Sequence, residues 1–504
     1  MKNRLGAACL PASLRMVFPH SSFVGCADVR VSSVACHSSL VQREGAFVVI
    51  SGSNTSGASH VPEALRKGAT ALILESPLAN VNVPQCIIHD SRKAYARLAS
   101  IIAGSPSRKL NIAAVTGTNG KTSINWILRS IVAAGNERCG LLGTIEYSDG
   151  VTRQPATLTT PDAVEIQFWL KRMVENSCRY TVMEASSHAL DQSRLEGVNL
   201  SAAVITNITR DHLDYHPTRQ HYIQAKAKIA RYLSPGGLLV VNADDPGAVE
   251  ACRLTNAVNV QTYGLESSAD LRGRELEESI HGSRFSVEYL GSEEAFSTPL
   301  VGRHQVSNCL AAIAVARHWN IPDDQIRDGL SQLSLVPGRL QKIENDRGLS
   351  VFIDYAHTPD ALQQSLTHLQ QLTPGRLIVV FGAGGDRDRS KRPLMGKIAT
   401  QADLAVVTSD NPRSENPEII LDEILIGMRS ARQPVHREAD RAAAIRWALA
   451  AARPGDTVLV AGKGHETTQT IGNRVLPFDD AEIVRNWHRQ HPAIPEELSF
   501  PLHF

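Results

Sequence analysis

The chain lacks paired cysteines, an excess of one charge and a long apolar run, and each absence excludes a class of protein. Its eight cysteines are scattered, and no two of them have the CxxC spacing that is typical of zinc and redox sites. Unpaired thiols in a chain of 504 residues are typical of a reducing compartment. We therefore expect a cytoplasmic protein.

The near balance of charge excludes further functions. The chain has 52 Lys and Arg against 51 Asp and Glu, a net charge of +1, so we expect neither nucleic acid nor an anionic membrane as its main partner.

No apolar run approaches the ~20 residues of a membrane span, so we expect no membrane insertion. The basic start has no long apolar core, and we expect no signal peptide there.

Short apolar runs typical of β-strands alternate with helical stretches along the whole chain. This alternation predicts an α/β fold with mostly parallel sheets, and the length allows roughly three or four domains. The segment "AGSPSRKL" at 103–110 is rich in small and basic residues and indicates a linker. We predict three domains, 1–106, 107–336 and 337–504.

The last domain repeats one pattern four times, an apolar strand followed by a polar loop that contains Gly, Asp or His. In open α/β sheets, ligands bind beyond the carboxyl ends of the strands. We therefore expect the four loops to converge on one site in a Rossmann-like domain. The instances are "SVFIDYAHTPD", "LIVVFGAGGDRDRSKR", "LAVVTSDNPRSENP" and "TVLVAGKGHETTQ".

The segment "AAVTGTNGKTS" at 113–123 joins an apolar strand to a Gly-rich turn. Gly117 and Gly120 allow backbone amides to turn inward, Lys121 can reach the outer phosphates, and Thr122 can bind Mg²⁺. The helix that follows would aim its positive end at the anion. Val115 stands where such a loop usually has its first glycine. The order of strand, loop and helix still predicts a P-loop ATPase-type parallel sheet in the central domain, beside a smaller N-terminal α/β domain.

The form "TGTNGKTS" resembles the phosphate loop of the Mur ligases, ATP-dependent enzymes that add amino acids to the peptidoglycan precursor. Further segments resemble that family in the same order over roughly residues 110–480, and in particular its members that extend UDP-N-acetylmuramoyl-L-alanyl-D-glutamate. These segments are "MEASSHALDQSRLEG" (183–197), "TNITRDHLDYH" (206–216), "QAKAK" (224–228), "NADD" (242–245), "GRHQVSN" (302–308), "PGRLQ" (337–341), "DYAHTPDAL" (354–362), "FGAGGDRDRSKRPLMG" (381–396), "DNPR" (410–413) and "GKGHE" (462–466).

The resemblance implies a reaction and a division of labour among the domains. A carboxylate of the nucleotide substrate is activated as an acyl phosphate, which an amine then attacks, and positive groups offset the repulsion between ATP and the carboxylate. The first domain would bind uridine diphosphate, the second ATP and the third the amino acid, in a monomer. The implied ATP contacts are Gly117, Thr118, Asn119, Gly120, Lys121, Thr122, Ser123, Asn308, Arg339 and Asp354.

The resemblance also implies a magnesium site and a modified lysine. Its implied catalytic residues are Lys121, Glu184, His212 and Lys226, and its implied metal ligands are Thr122, Glu184, His212 and Lys226 as a carbamate. A neutral lysine amine that adds CO₂ becomes an anion able to bind Mg²⁺. By residue type alone, Lys228 is an equal candidate for this modification; the family motif favours Lys226. A solvated helical lysine is the alternative for either.

The residues implied for the muramoyl-dipeptide fall in two places. Most follow the strands of the central domain, whereas the first domain departs from the family pattern. Where the family has Asp-Ser-Arg, this chain has His37-Ser38-Ser39, and Ser56-Gly57 stands for the family's Asp-Gly. We expect uridine diphosphate to bind with altered contacts. The implied set is Ser38, Thr159, Thr160, Ser186, Gln192 and Arg194.

The motif "DNPR" predicts which amino acid is added. By resemblance it is typical of members that add meso-diaminopimelate, whose distal carboxylate Arg413 can bind through two parallel hydrogen bonds. Asn411 would help, Arg387 supplies a second guanidinium, and Glu466 can receive the distal ammonium. The same residues are also typical of a turn, but a turn does not require Arg413. The implied set is Arg387, Asp410, Asn411, Pro412, Arg413, Gly462 and Glu466.

Two other functions stay open at this point. Folylpolyglutamate synthase has a similar phosphate loop and carbamate lysine, although "DNPR" and the three-part layout oppose it. A non-catalytic nucleotide-binding scaffold is the other, and only the altered first domain supports it. Binding of NAD is not expected, because "FGAGGDRD" has Arg387 where a dinucleotide loop has its last glycine.

Overall fold

The computed structural model describes residues 11–51, 57–209, 211, 215–333 and 335–491. The chain divides into two compact units. The first unit comprises Met1–Arg274, Ser286–Phe296 and Ser307–Gln332, and the second unit comprises Glu275–Phe285, Ser297–Val306 and Leu333–Phe504. Helices and parallel strands alternate in both units, which confirms the α/β class.

The first unit contains a five-stranded sheet built from the start of the chain. Four of its strands are parallel, and the fifth, Ser22–Val24, pairs antiparallel with Gln85–Ile87 at one end of the sheet. The segment "VPEALRKGATALILE" at 61–75 is typical of a helix followed by a strand, and the structure has both, Val61–Arg66 and Ala69–Leu74. In spatial order the strands are Ser22–Val24, Gln85–Ile87, Ala69–Leu74, Gly45–Val48 and Ser33–Ala35. A separate strand pair joins Ala12–Ser13 to Arg30–Val31.

The larger sheet of the first unit carries the phosphate loop. Its central strands are parallel and almost wholly apolar, as expected for strands that are buried on both faces. In spatial order the strands are Arg153–Pro155, Glu146–Ser148, Cys139–Leu142, Tyr180–Glu184, Asn111–Thr116, Leu200–Ile205, Leu233–Asn242 and Val260–Gly264. The meander Leu271–Ser279, Gly282–Tyr289 and Ser292–Thr298 follows and passes through both units.

The apolar runs at 180–186, 202–208 and 237–244 predict strands in this region, and all three strands exist with shifted ends. The strand predicted over 202–208 is Leu200–Ile205, and the one predicted over 237–244 is Leu233–Asn242. Helices cover the sheets, and several begin at side chains that cap their first free N–H groups, such as Ser186 and Asp162. The helices are Leu14–Val17, Val61–Arg66, Ser91–Ile102, Lys121–Ala134, Ala163–Glu175, Ser187–Asp191, Arg219–Ala227, Pro246–Arg253, Asp323–Ser331 and Arg303–His318, the last shared by both units.

The second unit is built on a six-stranded sheet with apolar cores on both faces. Its strands, in spatial order, are Gln341–Ile343, Ser350–Asp354, Thr457–Ala461, Leu377–Phe381, Leu404–Val407 and Val435–Arg437, all parallel except the first. The helices are Pro359–Leu372, Lys391–Ala399, Pro417–Ile426, Arg441–Ala451 and Asp480–Gln490, and a hairpin pairs Thr468–Ile471 with Arg474–Pro477.

The four strand-and-loop repeats predicted for the last domain occupy the centre of this sheet. Their strands are consecutive neighbours in space, so the four polar loops leave the same edge. Gly462 N donates to Asp354 O at 3.0 Å, and Gly385 N donates to Asn411 O at 2.9 Å. The loops therefore contact one another, as the pattern predicts. Across the described part of the chain, no helix has the length and hydropathy needed to span a membrane.

Candidate active site

The phosphate loop comprises residues 117–120, between the strand Asn111–Thr116 and the helix Lys121–Ala134. The end of the next strand holds it: Thr118 N donates to Asn207 O at 2.7 Å, and Asn119 N donates to Asn207 Oδ1 at 2.9 Å. Lys121 Nζ donates to the carbonyl oxygens of Gly117 and Thr118 at 2.8 and 2.9 Å. The ammonium group therefore lies over the loop, where it can neutralise a bound phosphate.

Gly120 satisfies a backbone requirement of this loop. Its φ is +89°, a left-handed conformation that costs a side-chain-bearing residue free energy. A Cβ at this position would also lie 2.5 Å from Oδ1 of Asn308. Because Gly120 has no side chain, the backbone of the turn can lie against Asn308. Asn308, a predicted ATP contact, is therefore next to the phosphate loop.

Glu184 ends the strand next to the phosphate loop and is only 1 % exposed. Its carboxylate accepts three hydrogen bonds: from Thr122 Oγ1 at 3.0 Å, from Thr144 N at 2.8 Å and from Thr144 Oγ1 at 2.8 Å. A buried carboxylate is costly unless such donors compensate it. Thr122 and Glu184 are thus brought together, and Thr144 is a third member that sequence reasoning missed.

This pair fits the requirements of Mg²⁺ in chemistry, because hydroxyl and carboxylate oxygens are the ligands that the ion prefers. Among the described residues, no group of three or more His, Cys, Asp and Glu could hold a metal ion. The predicted site does not depend on such a group, since Thr122 and a lysine carbamate are among its ligands. His212, the remaining predicted ligand, lies outside the described residues.

Lys226 is buried in the helix Arg219–Ala227, with its Nζ 4.6 Å from the centroid of the Tyr222 ring. Burial, together with the nearby charge of Lys121, holds the pKa of Lys226 well below its ordinary value, against an opposing effect of Asp211. Lys228 differs: it is 30 % exposed, and its Nζ forms an ion pair of 2.7 Å with Asp191 Oδ1. The environment of Lys226 therefore favours a neutral amine.

Five of the six residues predicted to bind the muramoyl-dipeptide belong to one hydrogen-bonded network around Glu184. Thr160 Oγ1 donates to Glu184 O at 2.8 Å and accepts from Ser186 N at 3.0 Å. Arg194 Nη1 donates to Thr160 O at 2.8 Å, and its Nη2 donates to Gln192 Oε1 at 2.8 Å. The network therefore reaches Glu184 directly, which joins the predicted substrate residues to the predicted metal ligand. Thr159 accepts from Thr144 Oγ1 at 3.2 Å.

Ser38 lies apart from this network, in the five-stranded part of the first unit. It is buried, and its hydroxyl donates to Glu63 Oε2 at 2.5 Å. That bond, with a second one from Lys67, lowers the pKa of Glu63. A carboxylate therefore already occupies the predicted uridine-diphosphate contact. The neighbouring Ser56 lies outside the described residues.

In the second unit, Asp354 ends the strand Ser350–Asp354 and is buried. Its oxygens accept from Ser365 Oγ at 2.6 Å, from Tyr355 N at 2.9 Å and from Leu340 N at 3.2 Å. Burial raises the pKa of Asp354 despite these donors. The guanidinium of Arg339 lies 4.6 Å above the Tyr355 ring. Arg339 and Asp354 are therefore neighbours at the carboxyl edge of the sheet.

The "DNPR" loop is fixed by the hairpin that follows "GKGHE". Arg413 N donates to Thr470 O at 3.0 Å, and Gly472 N donates to Arg413 O at 2.6 Å. Arg413 Nη1 donates to Gly385 O at 2.6 Å, next to Arg387. Arg387 itself is exposed, with one long contact of 3.4 Å to Asp386 O. The structure thus brings Arg413 to the loop that carries Arg387 and leaves the Arg387 side chain in solvent.

Asn411 and Glu466 contact each other, as two members of one predicted binding set should. Asn411 Nδ2 donates to Glu466 Oε2 at 2.8 Å. Gly462 has a φ of +116°, and a Cβ there would lie 2.5 Å from Asp410 Oδ2, so a glycine lets the backbone lie close to the Asp410 carboxylate. Lys463 donates to both Asn411 and Glu466. The sequence alone does not indicate this role, because a lysine between two glycines in "GKGHE" gives no sign of which side chains it contacts.

Comparison with known proteins places these arrangements in a family. Residues 115–316 match the Mur ligase middle domain, and residues 338–464 match the domain described as "Mur ligase, glutamate ligase domain". A UDP-N-acetylmuramoyl-L-alanyl-D-glutamate--2,6-diaminopimelate ligase of Caldanaerobacter subterraneus subsp. tengcongensis is 39% identical over 460 residues, 91% of this chain and 95% of the relative. The protein of the same name from Gloeobacter violaceus is 42% identical over 463 residues, 91% of this chain and 94% of the relative.

This chain belongs to the Mur ligase family. A solved structure of a UDP-N-acetylmuramoyl-L-alanyl-D-glutamate--2,6-diaminopimelate ligase is 32% identical, with a TM-score of 0.69 over 96% of this chain and 100% of that one. The resemblance read from the phosphate loop and the later motifs is therefore confirmed. As a Mur ligase, the chain is an ATP-dependent enzyme that forms amide bonds, which excludes the non-catalytic scaffold.

The family assignment extends further along the chain than the motifs did. The motifs resembled the family over roughly residues 110–480, whereas the relative from Caldanaerobacter aligns over 91% of the chain. Thr144 and Lys463 lie within the residues that match the two Mur ligase domains. Their hydrogen bonds to Glu184 and Asn411 identify them, because Thr144 lies outside the quoted motifs and Lys463 has no implied role within "GKGHE".

Proposed function

We propose that this Mur ligase adds meso-diaminopimelate to UDP-N-acetylmuramoyl-L-alanyl-D-glutamate in peptidoglycan biosynthesis. The observation that carries the choice of amine is the "DNPR" loop, in which Arg413 is fixed by the hairpin while Asn411 contacts Glu466. The names of the relatives at 39% and 42% identity support the same substrates.

The first chemical step joins ATP to the carboxylate of the nucleotide substrate. A carboxylate oxygen attacks the γ-phosphorus, an acyl phosphate forms and ADP leaves. Lys121, held over the phosphate loop, would stabilise the negative charge of the transferring group. The proposed ATP contacts are Gly117, Thr118, Asn119, Gly120, Lys121, Thr122, Ser123, Asn308, Arg339 and Asp354.

The second step forms the amide. The amine nitrogen of diaminopimelate attacks the acyl carbon, phosphate leaves, and the nitrogen loses its proton to solvent or phosphate. Thr160, Ser186, Gln192 and Arg194 would orient the dipeptide, since their network ends on the backbone of Glu184. Thr159 and Ser38 complete the proposed nucleotide-substrate contacts, and Ser38 would have to exchange Glu63 for the diphosphate.

A divalent metal completes the proposed first step. Thr122, Glu184, His212 and the carbamate of Lys226 would hold Mg²⁺, which would supply positive charge beside the transferring phosphoryl group. The buried environment of Lys226 supports its modification, because CO₂ adds to the neutral amine and the pKa of Lys226 is lowered. Lys228 is partly exposed and its Nζ is already engaged in an ion pair with Asp191, so its environment does not support the same modification.

The amino acid would be recognised by its far end. Diaminopimelate carries an ammonium and a carboxylate there, and an arginine fork and a glutamate are complementary to them. Arg413 and Arg387 would bind the carboxylate, and Glu466 the ammonium. The proposed set is Arg387, Asp410, Asn411, Pro412, Arg413, Gly462 and Glu466.

Several properties of the whole chain are proposed with the function. The nucleotide-substrate, ATP and amino-acid domains would be 1–106, 107–336 and 337–504. The enzyme would act as a monomer. It would be cytoplasmic, since the scattered thiols are typical of a reducing compartment. Neither nucleic acid nor membrane insertion enters the proposed function.

The test is release of phosphate from ATP by the purified protein with UDP-N-acetylmuramoyl-L-alanyl-D-glutamate present. Meso-diaminopimelate, L-lysine and no amine are compared. Turnover with diaminopimelate alone is the expected result. Preference for L-lysine would keep the ligase reaction and overturn the role of Arg413. No turnover with any amine would overturn the proposed substrates.

A further inference from the structure

Lys463 follows the strand Thr457–Ala461 in the second unit, and its side chain is completely buried. Its Nζ donates to three acceptors: Thr468 O at 2.6 Å, Glu466 Oε2 at 3.0 Å and Asn411 Oδ1 at 3.2 Å. An ammonium group has three N–H bonds, so the protein itself uses all of them. Lys463 is therefore placed to organise other side chains and has no donor left for a substrate.

Its contacts determine how Asn411 is oriented. Oδ1 of Asn411 accepts from Lys463 Nζ and from Thr470 N, at 3.2 and 3.0 Å. The opposite end of the amide, Nδ2, is thereby turned toward Glu466, to which it donates at 2.8 Å. A rotation of the amide by half a turn would place an N–H group against two donors, so Lys463 and Thr470 exclude it.

The same contacts determine how Glu466 is oriented. Asn411 Nδ2 and Lys463 Nζ both donate to Oε2 of Glu466. Within the described ranges, Oε1 has no hydrogen-bond partner, and the side chain is 33 % exposed. One carboxylate oxygen is thus held by the protein while the other is left for a cation that arrives from solvent.

We infer that Lys463 is a positioning residue for the amine end of the bound amino acid. It holds Glu466 so that Oε1 faces the distal ammonium of diaminopimelate, and it holds Asn411 in the orientation that supports Glu466. The inference rests on the proposed function, in which Glu466 receives that ammonium. It predicts a specific dependence: Lys463 affects the binding of a ligand only if the ligand carries the distal amine.

The experiment compares two ligands and two forms of the full-length protein by titration calorimetry, with the nucleotide substrate and a non-hydrolysable ATP analogue present. One ligand is meso-diaminopimelate, and the other is 2-aminopimelate, which keeps both carboxylates and lacks the distal amine. Lys463→Met is expected to weaken diaminopimelate at least about tenfold, as loss of a charge-assisted hydrogen bond does. Binding of 2-aminopimelate should change less than about twofold.

Further variants separate positioning from folding. Lys463→Gln keeps two N–H donors without the charge, so it tests the same role if Lys463→Met fails to fold, and it should also lose affinity for diaminopimelate. On a Glu466→Gln background, Lys463→Gln should add no further loss. Lys397→Met is the matched control, because Lys397 is an exposed lysine of the same unit and should change neither ligand.

Equal losses for both ligands would show that Lys463 only maintains the local fold and would overturn the inference. Unchanged diaminopimelate affinity in Lys463→Met and Lys463→Gln would overturn it as well. If the unchanged protein binds no diaminopimelate, the proposed function fails, and the inference fails with it.

Discussion

The hydroxyl of Thr122 donates to Oε1 of Glu184 at 3.0 Å, which joins the first turn after the phosphate loop to the end of the neighbouring strand. Glu184 is paired in register with Val115, just before the loop. Two elements that are 62 residues apart in the chain thus present oxygen atoms to one place. The parallel pairing of their strands is the cause, because it brings both carboxyl ends to the same edge.

Removal of the Thr144 hydroxyl should weaken the magnesium site without removing a proposed ligand. Thr144 Oγ1 donates to Glu184 Oε2 at 2.8 Å, so Thr144→Val leaves a buried carboxylate with one donor fewer. We expect the Mg²⁺ concentration for half-maximal turnover to rise by about tenfold, as loss of an outer-shell partner does. Thr144→Ser, which keeps the hydroxyl, is the control and should have the same Mg²⁺ requirement as the unchanged chain. An unchanged Mg²⁺ requirement in Thr144→Val would contradict the role of Glu184 as a ligand.

Lys226 should carry a carbamate that Lys228 does not carry. Its lowered pKa supplies the neutral amine with which CO₂ reacts. After equilibration with ¹³C-bicarbonate, NMR should detect a protein carbamate signal in the unchanged chain and in Lys228→Met. Lys226→Met should show no carbamate signal. Its turnover should fall at least about 100-fold, in line with the loss of an electrostatic catalytic group. A signal that vanishes only in Lys228→Met would reverse the assignment.

Arg413 should determine the preference for diaminopimelate over L-lysine. Arg413→Ala removes the guanidinium proposed to bind the distal carboxylate, which L-lysine lacks. The kcat/KM for diaminopimelate should therefore fall, and that for L-lysine should not. The ratio of the two kcat/KM values should fall by about 10- to 100-fold, the size of a charge-assisted hydrogen bond. Arg474→Ala, an exposed arginine on the neighbouring hairpin strand, should leave the ratio unchanged. A constant ratio in Arg413→Ala would assign the carboxylate to another residue.

Glu63 should weaken the binding of the nucleotide substrate. Its carboxylate accepts the Ser38 hydroxyl at 2.5 Å and would repel a diphosphate. Glu63→Gln should therefore lower the KM for the nucleotide substrate by a few-fold, whereas Ser38→Ala should raise it. Glu44→Gln, an exposed glutamate of the same region, is the control. If Glu63→Gln and Ser38→Ala both leave the KM unchanged, Ser38 does not contact the nucleotide.

His304 should make the second unit less stable in acid. Burial lowers the pKa of His304 from 6.5 to about 4, so the unfolded chain binds the proton first as the pH falls. The stabilisation from neutral His304 is complete above about pH 6.5 and is lost as the pH falls toward 4. Urea unfolding of the unchanged chain and His304→Gln should show a free-energy difference that shrinks over this interval. A difference that is constant with pH would mean that His304 is not buried as a neutral ring.

The fold could be predicted where local pattern and chemistry agree. The strand Asn111–Thr116, its glycine turn and the helix Lys121–Ala134 follow from apolar runs, glycines and a lysine in a fixed order. The four strand-and-loop repeats of the second unit likewise predicted a common edge, because parallel strands place their carboxyl ends together. Strand ends were less accurate, since pairing with neighbours decides them: Leu200–Ile205 stops three residues before its predicted end.

Some site residues carry no signal in the sequence. Thr144 and Lys463 became visible only through their hydrogen bonds to Glu184, Asn411 and Glu466. Arg387 was predicted beside Arg413, and the structure leaves its side chain exposed. Neither burial nor a contact between distant loops can be read from residue type alone.

The sequence by itself determined the family, the phosphate loop and the residue types of the proposed amino-acid site, because these depend on motifs with short, fixed spacings. Tertiary structure alone distinguished the environments of Lys226 and Lys228, two residues apart on adjoining helical turns. The fold buries Lys226 near the charge of Lys121 and leaves Lys228 paired with Asp191. That choice depends on desolvation and on charges from other elements, which act through space and have no signature in the local sequence.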